Sequence, residues 1–497
     1  MAAGAVVEEV QGRLVEVEAV VAVPACEVGP AAGAKTFRAY DPDQVLLMSP
    51  VLSEWIPEGD LAHFVADLVE GPLDLSAIYA SYESERGFPP YDPRLMVKLL
   101  IYGYATGVCS SRKLEAATHR DVASRMLCSG QHPDFRSIAR FRSRHLGALA
   151  ELFVEALQLC AKAGLVSLGA LALDGTKLRA NASRHKAMSY ERMVKKESEL
   201  EGEIAALEAK ARALLEQAQA TDAAEDELYG PDKRGDELPE ELARRESRLA
   251  KLKEAKSELE AEAKAREQAR RDQMRSEGRK PREPGDGRDA FAPKPAAQRN
   301  FTDPDSKIMK TSDGSFHQSY NAQAIVDEKA QVIVSAELSN QAADCPALAG
   351  ALTQLGENLE AIGATLPDGA KLLADAGYFS EENVASTEQH GLDAHIATGR
   401  QKHSDPPPIS PRGPVPKNAT AKQRMARKLK TKQAYAAYAR RKAIVEPVFG
   451  QMQTVQNAKQ VLLRGEDAAR AQWRFHCAVH NLLKLHRAGG MALIPAT

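Results

Sequence analysis

Apolar positions recur at helical spacing from Phe37 to about Leu165. Asp92 is placed to cap a helix whose first turn holds Pro93, followed by Leu95, Val97, Leu99 and Leu100. A second helix is expected from Ser110-Ser111 through Leu114, and a third from about Asp134, carrying Arg136, Arg140, Arg142, Arg144 and His145. Leu149, Phe153, Leu157 and Cys160 then fall on one face of a long amphipathic helix. Around Ala170 the period shortens. Leu171, Ala172 and Leu173 run into Asp174-Gly175, which predicts a short buried strand stopping at a turn.

Residues 189–275 are dense in Glu, Lys, Arg and Ala. Leu200, Ile204, Leu207, Ala211 and Leu214 form a heptad seam, and Leu249, Leu252 and Leu259 continue a similar pattern. The breaker Tyr229-Gly-Pro-Asp-Lys-Arg-Gly-Asp lies between them, so an antiparallel helical hairpin with its tip near Gly230 to Gly235 is expected. Gly278 to Pro295 reads as a Pro/Gly/Arg linker. Tyr320 to Val326 and Gln331 to Leu338 predict a strand hairpin joined at Asp327-Glu-Lys-Ala. A helix from about Cys345 to Ala361, a strand Lys371 to Ala374, a helix from near Ser380 and a strand Ala394 to Ala397 follow. After Pro406 to Pro416 one long helix is expected to run through Glu446, and a last one from about Asp467 to His486.

Composition narrows the classes. Hydrophobic residues make up 43% of the 497, enough for a packed core, and aromatics only 5%, which leaves Leu, Val and Ala to fill it. A net charge of −2 means that any nucleic-acid surface must come from local clustering of positive charge. Six scattered cysteines with no C-x-x-C pair fit reduced thiols in a cytosol. Glu8 and Glu9 stand where a secretory leader would be basic and then apolar, and Glu151, Glu155 and Lys162 interrupt the most apolar stretch. The expectation is a cytoplasmic protein with no membrane partner.

Candidate chemistry lies in three separated carboxylates. Asp174 and Asp375 each follow a short apolar run and precede a glycine within two residues, Gly175 and Gly377. That places each carboxylate at the end of a strand. Glu446 is the only acid between Pro406 and Gln460, in a tract with eleven Lys/Arg from Arg412 to Lys442. Metal-assisted phosphodiester cleavage needs oxygen ligands for Mg²⁺, and two ions about 3.5–4 Å apart can flank the phosphate. Against this stands the plain alternative that Asp-Gly after a strand is a turn and that Glu446 is a surface residue.

The strings around the acids change that balance. Leu173-Asp174-Gly-Thr-Lys-Leu-Arg-Ala-Asn-Ala, Ala374-Asp375-Ala-Gly-Tyr-Phe-Ser and Val445-Glu446-Pro-Val-Phe-Gly resemble the three acidic motifs of bacterial insertion-sequence transposases of the Asp-Asp-Glu class. Tyr91-Asp-Pro-Arg-Leu-Met, Phe135-Arg-Ser-Ile-Ala-Arg-Phe-Arg, Thr302-Asp-Pro-Asp-Ser, the segment around Tyr320-Asn-Ala-Gln, and His480-Asn-Leu-Leu-Lys are similar to the same family, and as an ordered set they are specific. The resemblance implies an α/β chain with an RNase H-like catalytic core, a mixed sheet with flanking helices. Its first Asp would lie on the first strand, its second on the fourth and its Glu on a later helix. To this the pattern adds an N-terminal all-α DNA-binding domain and an inserted coiled-coil hairpin.

The expected partition is a poorly ordered extension over 1–36, the helical domain over 37–165, the core over 166–188 and 300–464, the hairpin over 189–277, a linker over 278–299 and a C-terminal helix and tail over 465–497. The resemblance also implies cleavage and strand transfer at terminal inverted repeats of double-stranded DNA, a target DNA, Mg²⁺ (with Mn²⁺ as a substitute) held by Asp174, Asp375 and Glu446, and a homo-oligomer on DNA. Family members keep a Tyr and a basic residue before the Glu, places that Tyr438, Arg441 and Lys442 can fill. They also keep a basic residue two turns after it, where this chain has Gln453; Lys459 or Arg464 are the nearest substitutes.

Other features carry competing readings. Arg112, Lys113, Arg120 and Arg125, then Arg136, Arg140, Arg142 and Arg144, suit a helix-turn-helix-like DNA reader or a solvated face. His476 and His480 have a zinc-compatible spacing, but a packed helix is the simpler account, and Trp473 suits core packing better than base stacking. Two alternative functions stay open: a transposase-derived DNA-binding protein without catalysis, and a metal-dependent nuclease on the same core.

Overall fold

The computed structural model describes residues 7–10, 13–16, 51–82, 90–183, 187–225, 239–276, 278–281, 289–295, 297–311, 314–399, 409–416 and 418–494. Within the segment expected to be an extension, β1 (Val7–Val10) and β2 (Arg13–Glu16) form an antiparallel pair, which the sequence reading missed. Residues 51–497 form a second compact unit.

Among the described residues, that unit continues from a short turn at Leu52–Trp55 into seven α-helices: α1 (Leu61–Glu70), α2 (Ser76–Ala80), α3 (Pro93–Ala105), α4 (Ser111–Arg120), α5 (Val122–Leu127), α6 (Phe135–Arg144) and α7 (Leu146–Lys162). Their starts follow local chemistry. Asp92 accepts from the Arg94 amide at 2.8 Å with Pro93 in the first turn, and Asp134 accepts from the Arg136 amide at 2.8 Å.

The central sheet has six strands: β3 (Ala170–Arg179), β6 (Lys307–Lys310), β7 (Phe316–Asp327), β8 (Ile333–Ser339), β9 (Lys371–Ala374) and β10 (Asp393–Ile396). Between β3 and β6 come β4 (Ala187–Ser189), α8 (Tyr190–Glu225), α9 (Pro239–Ser276) and β5 (Gln298–Asn300). The sheet order is β10-β9-β3-β7, with β6 and β8 both pairing β7. β10, β9 and β3 are parallel, and β7 runs antiparallel to β3 and to β8. Leu171, Leu173, Leu372 and Leu373 are fully buried, as strands covered on both faces require. This mixed sheet with flanking helices is consistent with an RNase H-like core.

β3 differs from its expected form. It does not stop at Asp174-Gly175 but continues to Arg179, so Asp174 sits in mid-strand. The reason is non-local: β7 pairs with β3 from Leu171 through Arg179, placing Ala324 opposite Asp174 and Gln323 opposite Gly175. A Cβ at Gly175 would lie 2.5 Å from the Gln323 side-chain nitrogen, so glycine here serves close packing and not a turn.

The remaining helices are α10 (Ala347–Ala361), α11 (Glu381–Gln389), α12 (Ala421–Leu429), α13 (Lys432–Ala439), α14 (Arg441–Thr454) and α15 (Glu466–Ala488). The single long helix expected before Glu446 is therefore three. Thr431 caps α13 by accepting from the Ala434 amide at 3.3 Å, and Thr420 caps α12 with a capping box to Gln423.

The helices of 61–162 and the sheet share one apolar core. α15 is its axis, packed between α7 and β8. Cys160 donates to the Asn481 carbonyl, and the Asn481 amide exchanges two 2.8 Å hydrogen bonds with the backbone of Ile333, as a strand partner would. Asp303 similarly joins β7 to the start of α15. It accepts from the Tyr320 hydroxyl at 2.8 Å and from the Gly465 amide at 3.1 Å.

In the insertion, Met193, Leu252, Ala255 and Leu259 form a separate apolar cluster between α8 and α9. At its base β4 pairs with β5. The expected tip, Gly230 to Gly235, lies outside the described residues.

Candidate active site

The parallel pairing of β3 and β9 sets Leu173 beside Ala374, so Asp174 and Asp375 follow side by side. Asp375 ends β9 and caps the short turn Ala376–Tyr378, accepting from the Gly377 amide at 2.8 Å. Asp174 accepts from the Gly175 amide at 2.9 Å, and its second oxygen lies 2.9 Å from Arg441 Nη1. Burial pushes the Asp174 carboxyl above its ordinary range, Arg441 opposes the shift and the Asp375 charge adds to it. Arg441 opens α14 with its side chain only 9% exposed. Tyr438 is half-buried beside Arg441 and both aspartates, and burial raises its hydroxyl pKa.

Glu446 is placed differently. It lies on α14, which packs against β3 and β7, but its side chain is 58% exposed and its nearest ionic partner is Lys442 at 3.8 Å. Two other features fix this helix. Pro447 removes a backbone donor, which frees the Ala443 carbonyl, and that carbonyl accepts from Gln331 Nε2 at 3.0 Å. Two turns on from Glu446, Gln453 Nε2 donates to Thr176 Oγ1 at 2.9 Å. Where a basic residue was expected, the chain therefore has an amide that clamps α14 to β3, two residues beyond Asp174. Arg464 donates to the Asn181 carbonyl, beyond the far end of the same strand. Among the described residues, no three acidic, His or Cys groups converge closely enough to hold an ion. The structure brings Asp174 and Asp375 together and leaves Glu446 on the adjoining helix.

Two family models match the chain: a transposase domain (DUF772) over residues 50–144 and a transposase DDE domain over residues 289–482. The chain belongs to the insertion-sequence transposases of the Asp-Asp-Glu class. Comparison with curated proteins and with solved structures returns no match. The DDE match contains Asp375 and Glu446 but begins after Asp174, which lies on β3 ahead of the α8–α9 insertion. Only the folded sheet restores that carboxylate to its neighbours.

The arginines of the transposase's α6 divide in two. Arg136, Arg140 and Arg144 are exposed and four residues apart, hence on one edge of the helix. Arg112 and Arg136 both lie over the Phe135 ring, at 5.1 and 5.6 Å. Arg144 lies over Tyr82 and donates to the Ser81 carbonyl at 2.7 Å. Arg142, expected to face DNA, is instead buried: it donates to the Cys109 carbonyl at 2.9 Å and to Ser111 Oγ at 3.3 Å. It points inward because α6 turns its apolar face, with Ile138 and Phe141, to the same side.

His476, His480 and Trp473 are all buried on α15. His480 shares a hydrogen bond with the Gln331 carbonyl at 3.1 Å, and the Trp473 indole donates to the Gln323 carbonyl at 3.0 Å. These are packing roles, not zinc binding or base stacking.

Sequence reasoning missed a polar network beside the carboxylates, formed by Lys177, Gln323, Asp344 and Tyr378. Lys177, Tyr378 and Gln323 lie within strings that resemble the family, but nothing local marks Asp344.

Proposed function

We propose that this transposase cleaves the ends of its element and joins them to target DNA in a divalent-metal-dependent reaction centred on Asp174 and Asp375, with Glu446 as the third carboxylate. The adjacency of the two aspartates at neighbouring parallel strands carries this reading. Both offer only oxygen donors, and the cost of burying Asp174 beside a second carboxylate is what a hard divalent cation offsets. Asp174, Asp375 and, after a side-chain rotation, Glu446 would hold Mg²⁺ or Mn²⁺. The bound ions would supply charge stabilisation at the attacking and leaving oxygens of an in-line displacement.

The chain's own groups do the rest. Arg441 orients Asp174 and favours its charged form against the burial that raises its pKa, with a guanidinium 2.9 Å away. Gln453 and Gln331 fix both halves of α14, so Glu446 moves only by rotating its side chain. Exposed Lys442 and half-buried Tyr438 flank the site and would touch the DNA backbone. Arg136, Arg140 and Arg144 on α6 would meet the terminal inverted repeat, chiefly through phosphates, which makes binding salt-sensitive. Recognition of two ends and a target implies a homo-oligomer on DNA.

The decisive experiment substitutes Asp174, Asp375 or Glu446 singly with Ala and measures excision of a marked element with Mg²⁺. Each variant is expected to lose at least about 1,000-fold in rate, several kcal/mol of transition-state stabilisation. Undiminished excision by any one removes that residue from the centre.

A further inference from the structure

Asp344 belongs to none of the three acidic strings and lies between β8 and α10. Its Oδ1 accepts from Lys177 Nζ at 2.9 Å, from Asn321 Nδ2 at 2.9 Å and from Gln323 Nε2 at 3.4 Å. Lys177 also donates to the Ala342 carbonyl at 3.0 Å. Asn321 and Gln323 are the β7 partners of Lys177 and Gly175, so these groups share one face of the sheet. From that face Gln323 accepts a hydrogen bond from the buried Tyr378 hydroxyl, three residues past Asp375. Asn383 holds the same turn from the other side, donating to the Tyr378 carbonyl at 2.7 Å and to the Cys345 carbonyl at 2.8 Å.

The second oxygen of Asp344 points elsewhere. A Cβ built on Gly377 would sit 3.0 Å from Asp375 Oδ1 and 3.5 Å from Asp344 Oδ2, so both carboxylates border one small space above that glycine. The Asp344 side chain is 34% exposed, and its Oδ2 has no donor among the described residues. Lys177 pairs with one oxygen of Asp344, while the other stays open toward the Asp375 turn.

We propose that Asp344 is a positioning residue for the cleavage reaction. Through Lys177, Asn321 and Gln323 it ties β3, β7 and the Asp375 turn into one unit and sets the separation of the Asp174 and Asp375 carboxylates. The inference rests on reading those two aspartates as the metal-holding pair.

The test compares the full-length chain with Asp344→Asn, Lys177→Met and Asp375→Asn. Mn²⁺ alone is titrated calorimetrically, and melting temperature is recorded without metal. Asp344→Asn keeps an accepting oxygen but removes the charge. It is expected to bind Mn²⁺ about 10- to 100-fold more weakly, the usual cost of losing a group that orients a metal ligand, with little change in melting temperature. Lys177→Met frees Asp344 without touching any carboxylate, should weaken Mn²⁺ in the same direction, and decides the matter if Asp344→Asn does not fold. Wild-type Mn²⁺ affinity in a folded Asp344→Asn, alongside lost binding in Asp375→Asn, overturns this inference alone. So does a lowered melting temperature with unchanged affinity, which marks a merely structural residue. Unchanged Mn²⁺ binding in Asp375→Asn overturns both this inference and the site on which it rests.

Discussion

Arg441 and Arg142 come from the two most basic stretches of the chain, and both end up inside it. Arg441 meets a carboxylate, Asp174, on the interior strand β3. Arg142 meets only neutral oxygens, those of Cys109 and Ser111, in a seam where α6 and the loop after α3 approach α14 and α15. Around it stand the Tyr104 ring, 4.6 Å from the His476 ring, and Cys109, which donates to the Gln456 carbonyl. Among the described residues, His476 Nδ1 and Arg142 Nε are buried there without hydrogen-bond partners. One buried cation thus compensates a buried carboxylate, and the other ties α6 to the loop between α3 and α4, whose Cys109 reaches the Gln456 carbonyl just past α14. The same residue type, unreadable locally, is sorted by what faces it.

Acid should separate the two regions most strongly. Burial depresses His476 and His480 to about 3, so both are neutral when folded, while the unfolded chain titrates near 6.5. Between those values the unfolded state binds more protons, so stability is full above about 6.5 and falls progressively as pH drops toward 3. Chemical denaturation across that window should show the loss, and His476→Gln should flatten it; a pH-independent midpoint would break the comparison at the seam.

Next in size, Arg142→Ala should cost about 2–3 kcal/mol through lost charge-assisted hydrogen bonds and an orphaned carbonyl, while leaving the folded fraction competent for cleavage. Arg441→Gln should do the reverse. Its melting temperature should change little, cleavage near neutral pH should fall about tenfold, the equivalent of about 1.4 kcal/mol, and the acid limb of the pH profile should move to higher pH. The sign follows from Asp174: burial already raises its pKa, and without the guanidinium its proton is held more tightly. An unshifted acid limb would detach Arg441 from Asp174. Smallest is the inserted hairpin, where Lys253→Ala, breaking an exposed 2.7 Å pair with Glu201, should change stability by less than about 0.5 kcal/mol. A larger loss would show that ion pairs, and not the Met193–Leu259 cluster, hold α8 to α9.

Local chemistry fixed much of this protein. Asp92 caps the helix it was expected to cap, and Asp134 and Ser380 cap the helices expected to start near them, since capping uses atoms a few residues apart. Asp375 stands where an apolar run and a nearby glycine place it, at a strand end. The three acidic strings carried the family and the function, because the residues of each motif are contiguous. What the chain alone left open depended on partners far away in sequence. β3 runs through Asp174 because β7, some 150 residues on, pairs along its whole length. Arg142 turns inward because the loop ending at Cys109 offers it a carbonyl. Asp344 is tied to β3 because Lys177, 167 residues earlier, reaches it across the sheet. Caps and periodicity are settled by neighbours on the chain. Charge compensation and the register of a strand are settled by whatever the closed sheet sets opposite, and no local pattern records that.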